Sequence, residues 1–205
     1  MCIICVSEKG IKQPTMELIE TMFATNPDGA GYMVAEDGRV RISKGYMTIK
    51  DLKNALNQEH FKKDDVVVYH FRISTQAGVQ PAMTQPFPYT NNIKNTRALD
   101  CIADLGIAHN GIIRQLSNPD DKTYSDTAHF TAEFLPEFIG RPEDLTEEFL
   151  VALARVTNSR FAFLDGTGTV YYSGQFIEDY NGLKFSNTSY TGYRGKTISE
   201  QKRTA

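Results

Sequence analysis

Two cysteines stand at the head of the chain, Cys2 and Cys5, in "MCIICVSEKG". A Cys-x-x-Cys pair can be half of a zinc site, but such a site needs a second pair of ligands. No second pair follows, and Cys101 and the 4 histidines are scattered without ligand spacing. The β-branched run "CIICV" also predicts a strand over residues 2–6, where positions 2 and 5 project to opposite faces. Such a pair cannot share one ion or close an easy disulfide, so no metal is expected. Cys5 and Cys101 are expected to be buried, small apolar residues. A nucleophilic Cys2 makes better chemical sense. Residue two is small enough for Met1 to be removed, and the freed residue then carries a thiol and an α-amino group. That amine titrates at about 7.7–8.0. One residue thereby supplies nucleophile and base, as in N-terminal threonine enzymes. The plain alternative is a chance strand residue.

Three further stretches carry candidate chemistry. In "AHNGII" the Asn110 amide and the Gly111 backbone N–H could converge on a developing oxyanion, although Asn-Gly is also an ordinary turn pair. In "YHFRISTQAG" Arg72 lies in or at the end of the most apolar strand signal, where an unpaired guanidinium is costly. It could grip a substrate carboxylate through its bidentate fork, helped by Thr75; a plain salt bridge is the simpler reading. In "YSDT" Asp126 stands at a helix start, where capping is the ordinary role and holding a substrate ammonium the sharper one.

These residues need elements to position them. "QPTMELIETMF" places Met16, Ile19, Met22 and Phe23 at helical spacing, and "GYMVAEDGRVRISKG" reads as a hairpin with Asp37-Gly38 at its tip. "TIKDLKNALNQ" is a second helix, with Thr48 as its cap. "DDVVVYHFRIST" is the strongest strand, followed by a Pro-punctuated loop. "LGIAHNGII" is a strand entering a turn. "YSDTAHFTAEFLPEFI" and "LTEEFLVALARVT" are read as amphipathic helices, and "RFAFLDGTGTVYYSG" and "LKFSNTSY" as hairpin-like strands. Strands and helices come in groups without βαβ alternation, which predicts an α+β layered fold on mostly antiparallel sheets.

At 205 residues, with 40% hydrophobic and 23% charged residues, the chain is expected to form one domain over 1–193 with a polar, loose tail at 194–205. A net charge of −3 gives no electrostatic reason to expect nucleic acid. No apolar run reaches the roughly 20 residues a membrane span needs. With no export signal and an odd number of cysteines, a cytoplasmic setting is expected. "DGTGTV" lacks the lysine of a phosphate cradle, and no cofactor is expected.

"MC", "HFRIST-QAG", "AHNGII" and "YSDT", in that order, together resemble the class II glutamine amidotransferase domain, a member of the N-terminal nucleophile hydrolases, in a stand-alone form. "NPDGAGYM" is similar to that family's early glycine-rich segment; the last third matches only in general character. The resemblance implies a four-layer αββα sandwich of two mostly antiparallel sheets flanked by helices. It implies Cys2 as the nucleophile on the glutamine amide, and Asn110 and Gly111 at the oxyanion. Arg72 and Asp126 would hold the α-carboxylate and α-ammonium, and Thr75, Gln76 and His109 would lie at the substrate. Residues 72–81 would be a lid. The expected partners are glutamine or another γ-glutamyl amide and a separate synthetase or other ammonia acceptor. Ile3 stands where the family usually has glycine, and the lid lacks the usual tryptophan. A non-catalytic binding or regulatory module on the same scaffold is the alternative.

Overall fold

The computed structural model describes residues 2–74, 78–117, 120–121, 123–179 and 181–191. The strand expected at the head of the chain is β1, Ile3–Ser7. Helix α1, Met16–Thr25, starts where Thr15 Oγ1 accepts from the Leu18 amide at 3.3 Å, and it buries Ile19, Met22 and Phe23 as their spacing requires. Strands β2 (Ala30–Glu36) and β3 (Arg39–Tyr46) form the expected hairpin. Its two tip residues, Asp37 and Gly38, take φ of 51° and 76°, the positive values that match the twist of the flanking strands. Helix α2, Ile49–Glu59, is capped by Thr48, and β4 covers Val67–Phe71. The chain continues through β5 (Phe87–Pro88), β6 (Asp100–Ala103) and β7 (Leu105–Asn110). Next come a short helix α3 (Asp126–His129) and α4 (Glu147–Thr157). Strands β8 (Arg160–Asp165), β9 (Val170–Ser173), β10 (Ile177–Glu178) and β11 (Lys184–Phe185) complete it.

Two antiparallel sheets result, in the orders β10-β11-β1-β4-β2-β3-β6 and β5-β7-β8-β9. Three layers of apolar contact hold them. Ile19 and Phe23 of α1 and Leu52 of α2 pack on Ile3, Cys5, Tyr32 and Phe71 of the larger sheet. Ile4, Val6, Met33 and Val68, on its other face, meet Ala108, Ala162 and Leu164 of the smaller sheet. The outer face of that sheet, Ile107, Phe161 and Phe163, packs on Phe130, Leu135 and Leu153. Helices, sheet, sheet and helices thus form four layers, as expected. The parity of β1 explains the two cysteines: Cys5 faces the helices, while Ile4 and Val6 face the second sheet. No helix among the described residues is long and apolar enough to cross a membrane.

One open expectation is settled and two need correction. Strand β4 ends at Phe71, so Arg72 sits just beyond it. The long helix read from Ser125 is α-helical only over Asp126–His129. It continues as a π-helical turn, Phe130–Phe134, and a 3₁₀ turn, Leu135–Glu137. Pro136 lacks an amide hydrogen and its ring clashes with the carbonyl four residues back, so a regular helix cannot run through it. Cys101 is only half-buried, because β6 is an edge strand paired on one side with β3. The expected loose tail, 194–205, lies outside the described residues.

Candidate active site

Cys2 immediately precedes β1, which is flanked by β11 and β4. The register Ile3↔Phe71 carries Cys2 toward the segment after β4, and its Sγ lies 3.5 Å from the Ile73 carbonyl. The segment after β11 fixes the other side. Asn187 Nδ2 donates to the Cys2 carbonyl at 2.7 Å, and the Ser186 hydroxyl accepts from the Ile4 amide at 2.9 Å. Burial pushes the Cys2 thiol up, the Arg72 guanidinium draws it down, and Asp126 opposes Arg72. The net shift is upward, so the resting group is a thiol.

Arg72 is 4% exposed. Its amide donates to the Gly29 carbonyl at 2.8 Å, and its carbonyl accepts from the Asp28 amide at 2.9 Å. Its Nη1 donates to the Gly78 carbonyl at 2.8 Å, and the Ser74 hydroxyl donates to the same oxygen at 2.8 Å. Burial lowers its pKa, against the pull of Cys2, Asp28 and Asp126. Asp126 opens α3 behind the Ser125 cap. Its Oδ2 accepts from the Ile113 amide and its Oδ1 from the Thr127 amide, both at 2.7 Å. Burial raises the Asp126 pKa, and these amide donors pull the other way.

Asn110 ends β7 and is fully buried. Its Nδ2 donates to the Ser186 hydroxyl at 2.9 Å, and its Oδ1 has no partner among the described residues. Gly111 follows at φ 155°, and a β-carbon there would collide with the Ser159 side chain. Only glycine fits this approach. His109 is held through its backbone and Nδ1, while its buried Nε2 has no partner among the described residues. Its amide donates to Gln85 Oε1 at 2.7 Å, and its carbonyl accepts from His70 Nε2 at 3.0 Å. Its Nδ1 meets the Thr127 hydroxyl at 2.8 Å, and its ring stacks on Phe161 at 4.4 Å. Burial pushes both His109 and His70 down to about 3. Both rings are neutral near pH 7 and are weak bases for a thiol proton.

Cys2, Arg72, Ile73, Gln85, His109, Gly111, Ser125, Asp126 and Thr127 line one small cleft. The structure therefore brings together five of the residues singled out in the sequence. Asn110 lies one position behind the wall, and Thr75 and Gln76 fall outside the described residues. The cavity measures about 20 Å³, room for about one water. Gln85, Thr127, Ser186 and Asn187 were missed. Thr127 closes "YSDT", where its residue type alone points to no role. Ser186 and Asn187 follow a short strand as a run of side chains suited to bonding backbone, and that was the available signal. Nothing about Gln85 in its proline-rich loop marked it. Among the described residues, no group of three or more His, Cys, Asp or Glu side chains could hold a metal ion.

No protein-family model matches the chain, and no curated protein matches it. Among solved structures, it is similar to glutamine phosphoribosylpyrophosphate (PRPP) amidotransferase from B. subtilis, complexed with ADP and GMP. The TM-score is 0.49 and the identity 18%, over 90% of this chain and 41% of that one. The chain spans about two-fifths of that protein's length.

Proposed function

We propose that the chain is a glutamine amidohydrolase or amidotransferase that uses Cys2, freed of Met1, as its nucleophile. One observation carries this reading: Cys2, Arg72, Gly111 and Asp126, from four separate stretches of the sequence, meet on one cleft. With the thiol raised and both nearby histidines too weakly basic, the α-amino group of Cys2 takes the Sγ proton, directly or through water. Sγ attacks the side-chain amide carbon of glutamine. The oxyanion is held by the Gly111 N–H and by Asn110 Nδ2. Ser186 Oγ already accepts from Ile4. With the Asn110 amide turned, the Ser186 O–H donates to Oδ1 and both Nδ2 protons are free. As the tetrahedral adduct collapses, the C–N bond breaks and the ammonium group returns its proton to the leaving ammonia. Water then cleaves the thioester to give glutamate.

Arg72 takes the substrate α-carboxylate and Asp126 its α-ammonium, so both charges of the zwitterion are met. A cleft of about 20 Å³ has to widen first. The Gly78 carbonyl, held by Arg72 and Ser74, is the group a carboxylate would displace, and residues 72–81 act as the lid. The ammonia goes to water or to a separate acceptor enzyme. The tight cleft also favours a second reading, a non-catalytic module on the same scaffold. The grips on the glutamyl end alone would equally serve another γ-glutamyl amide.

Intact mass before and after incubation with 6-diazo-5-oxo-norleucine decides between them. The expected result is loss of Met1 and one adduct on Cys2, with Cys2→Ala folded, unlabelled and unable to release ammonia from glutamine. Ammonia release that survives in Cys2→Ala would sink the mechanism. Met1 lost, no adduct and no turnover would favour the module.

A further inference from the structure

Lys44, in β3, is 3% exposed, and no ion pair among the described residues includes it. Its Nζ instead donates to three backbone carbonyls, of Ala82 at 2.9 Å, Thr84 at 3.0 Å and Thr96 at 2.6 Å. It also sits over the Phe87 ring, 4.1 Å from its centroid. Three acceptors use three protons, and only the ammonium form carries three. Burial pushes this ammonium well below the ordinary lysine range; the carbonyl dipoles and the ring face favour the charge.

The three carbonyls belong to two separate short turns, Pro81–Met83 with its following Thr84, and Ile93–Arg97. Lys44 therefore ties both to β3. The neighbouring backbone repeats the grip. The Lys44 amide donates to the Leu99 carbonyl at 2.8 Å, and the Gly45 amide to Thr84 Oγ1 at 2.8 Å. Thr84 shares its peptide group with Gln85. The Gln85 Oε1 accepts the His109 amide at 2.7 Å, and its Nε2 lies 3.4 Å from the Thr127 hydroxyl. Strand β5 pairs with β7 only at Ile107 and Gly106. The Gln85 side chain thus supplies the carbonyl that the edge of β7 lacks at His109, directly beside the cleft.

We propose that Lys44 is a positioning residue for the cleft: by holding the carbonyls of Ala82, Thr84 and Thr96 together, it sets Gln85 against His109 and Thr127. The proposal deepens the amide-hydrolase reading and rests on it only for a kinetic readout. A lysine that merely fills the core would stabilise the protein without governing the His109 amide.

The test uses protein labelled with [¹⁵N]histidine, whose 4 histidines give four backbone amides. Lys44→Met removes all three donors, and Lys44→Gln keeps two. In Lys44→Met the His109 amide should shift and exchange with solvent at least about tenfold faster, with a smaller change in Lys44→Gln and none at His60. Labelling of Cys2 by 6-diazo-5-oxo-norleucine should slow by about tenfold or more in Lys44→Met and in Gln85→Ala, with no further loss in the double variant. An unmoved His109 amide in either folded Lys44 variant overturns the proposal, as do effects that multiply in the double variant. Should Lys44→Met not fold, Lys44→Gln decides. Should wild-type Cys2 resist labelling, the amide-hydrolase reading falls, and the His109 amide still decides the role of Lys44.

Discussion

Two hollows lie on either side of Ile113. Its amide holds the Asp126 carboxylate at the small cleft of about 20 Å³. Its side chain lines a second hollow of about 330 Å³, walled by Phe130, Phe134, Phe138 and Phe149. The second hollow is the roomier and has the size of an ordinary ligand site, yet none of its lining residues is ionisable. The first is narrow, and it gathers a thiol, a guanidinium, a carboxylate and an imidazole. Volume alone would choose the apolar one. Chemistry needs groups of shifted pKa that converge, and here convergence and tight packing go together. The apolar hollow leaves Phe134 40% and Phe138 58% exposed, an arrangement that adds apolar surface without polar direction.

The sharpest way to break this contrast is at the oxyanion. Asn110→Ala should lower amide turnover by about 10²–10³ while the fold survives; a smaller loss measured in kcat would remove Asn110 from the chemistry. Leu153→Ala, on the apolar side, should cost about 2–5 kcal/mol in urea unfolding and leave the rate of Cys2 labelling in the folded protein unchanged. A slowed rate would show that the two hollows are coupled through Ile113.

Acid should act on the polar side. His70 and His109, buried, titrate at about 3 when folded, against about 6.5 in an unfolded chain. The unfolded state therefore binds their protons first. Stability is full above about pH 6.5 and falls on acidification toward pH 3, by up to about 1.4 kcal/mol per pH unit for each histidine. Urea midpoints at pH 7 and pH 5 check this, and equal midpoints would contradict the neutral, buried rings. The smallest effect is expected at the exposed rim of the apolar hollow. Phe138→Ser should change stability by no more than about 0.5 kcal/mol and leave Cys2 labelling unaffected; a larger loss would mean that Phe138 packs more firmly than its exposure suggests.

Much of the frame was legible in the chain. Apolar periodicity located α1, α2, α4 and the β2–β3 hairpin, since a stripe at helical or alternating spacing has one stable burial. Residue type suggested Cys2, Arg72, Gly111 and Asp126, because few side chains can attack, grip a carboxylate or leave backbone bare. Lys44 and Gln85 were not legible. Each acts on backbone atoms supplied by other segments, and no local pattern encodes those partners. The segment after Ser125 departs from its apolar stripe for a local reason instead: Pro136 breaks the regular ladder.

The amino-acid sequence by itself determined which elements form and which side chains could do chemistry, because both follow from local spacing and functional groups. Only the tertiary structure decided which of those groups meet. The Ile3↔Phe71 register brings Cys2 to Ile73, Ser186 and Asn187 pin Cys2 and β1 from the far end of the chain, and the ammonium of Lys44 ties two turns to β3. These are long-range pairings of backbone polar groups, which must find partners once buried, and they are settled only when the sheets close on each other.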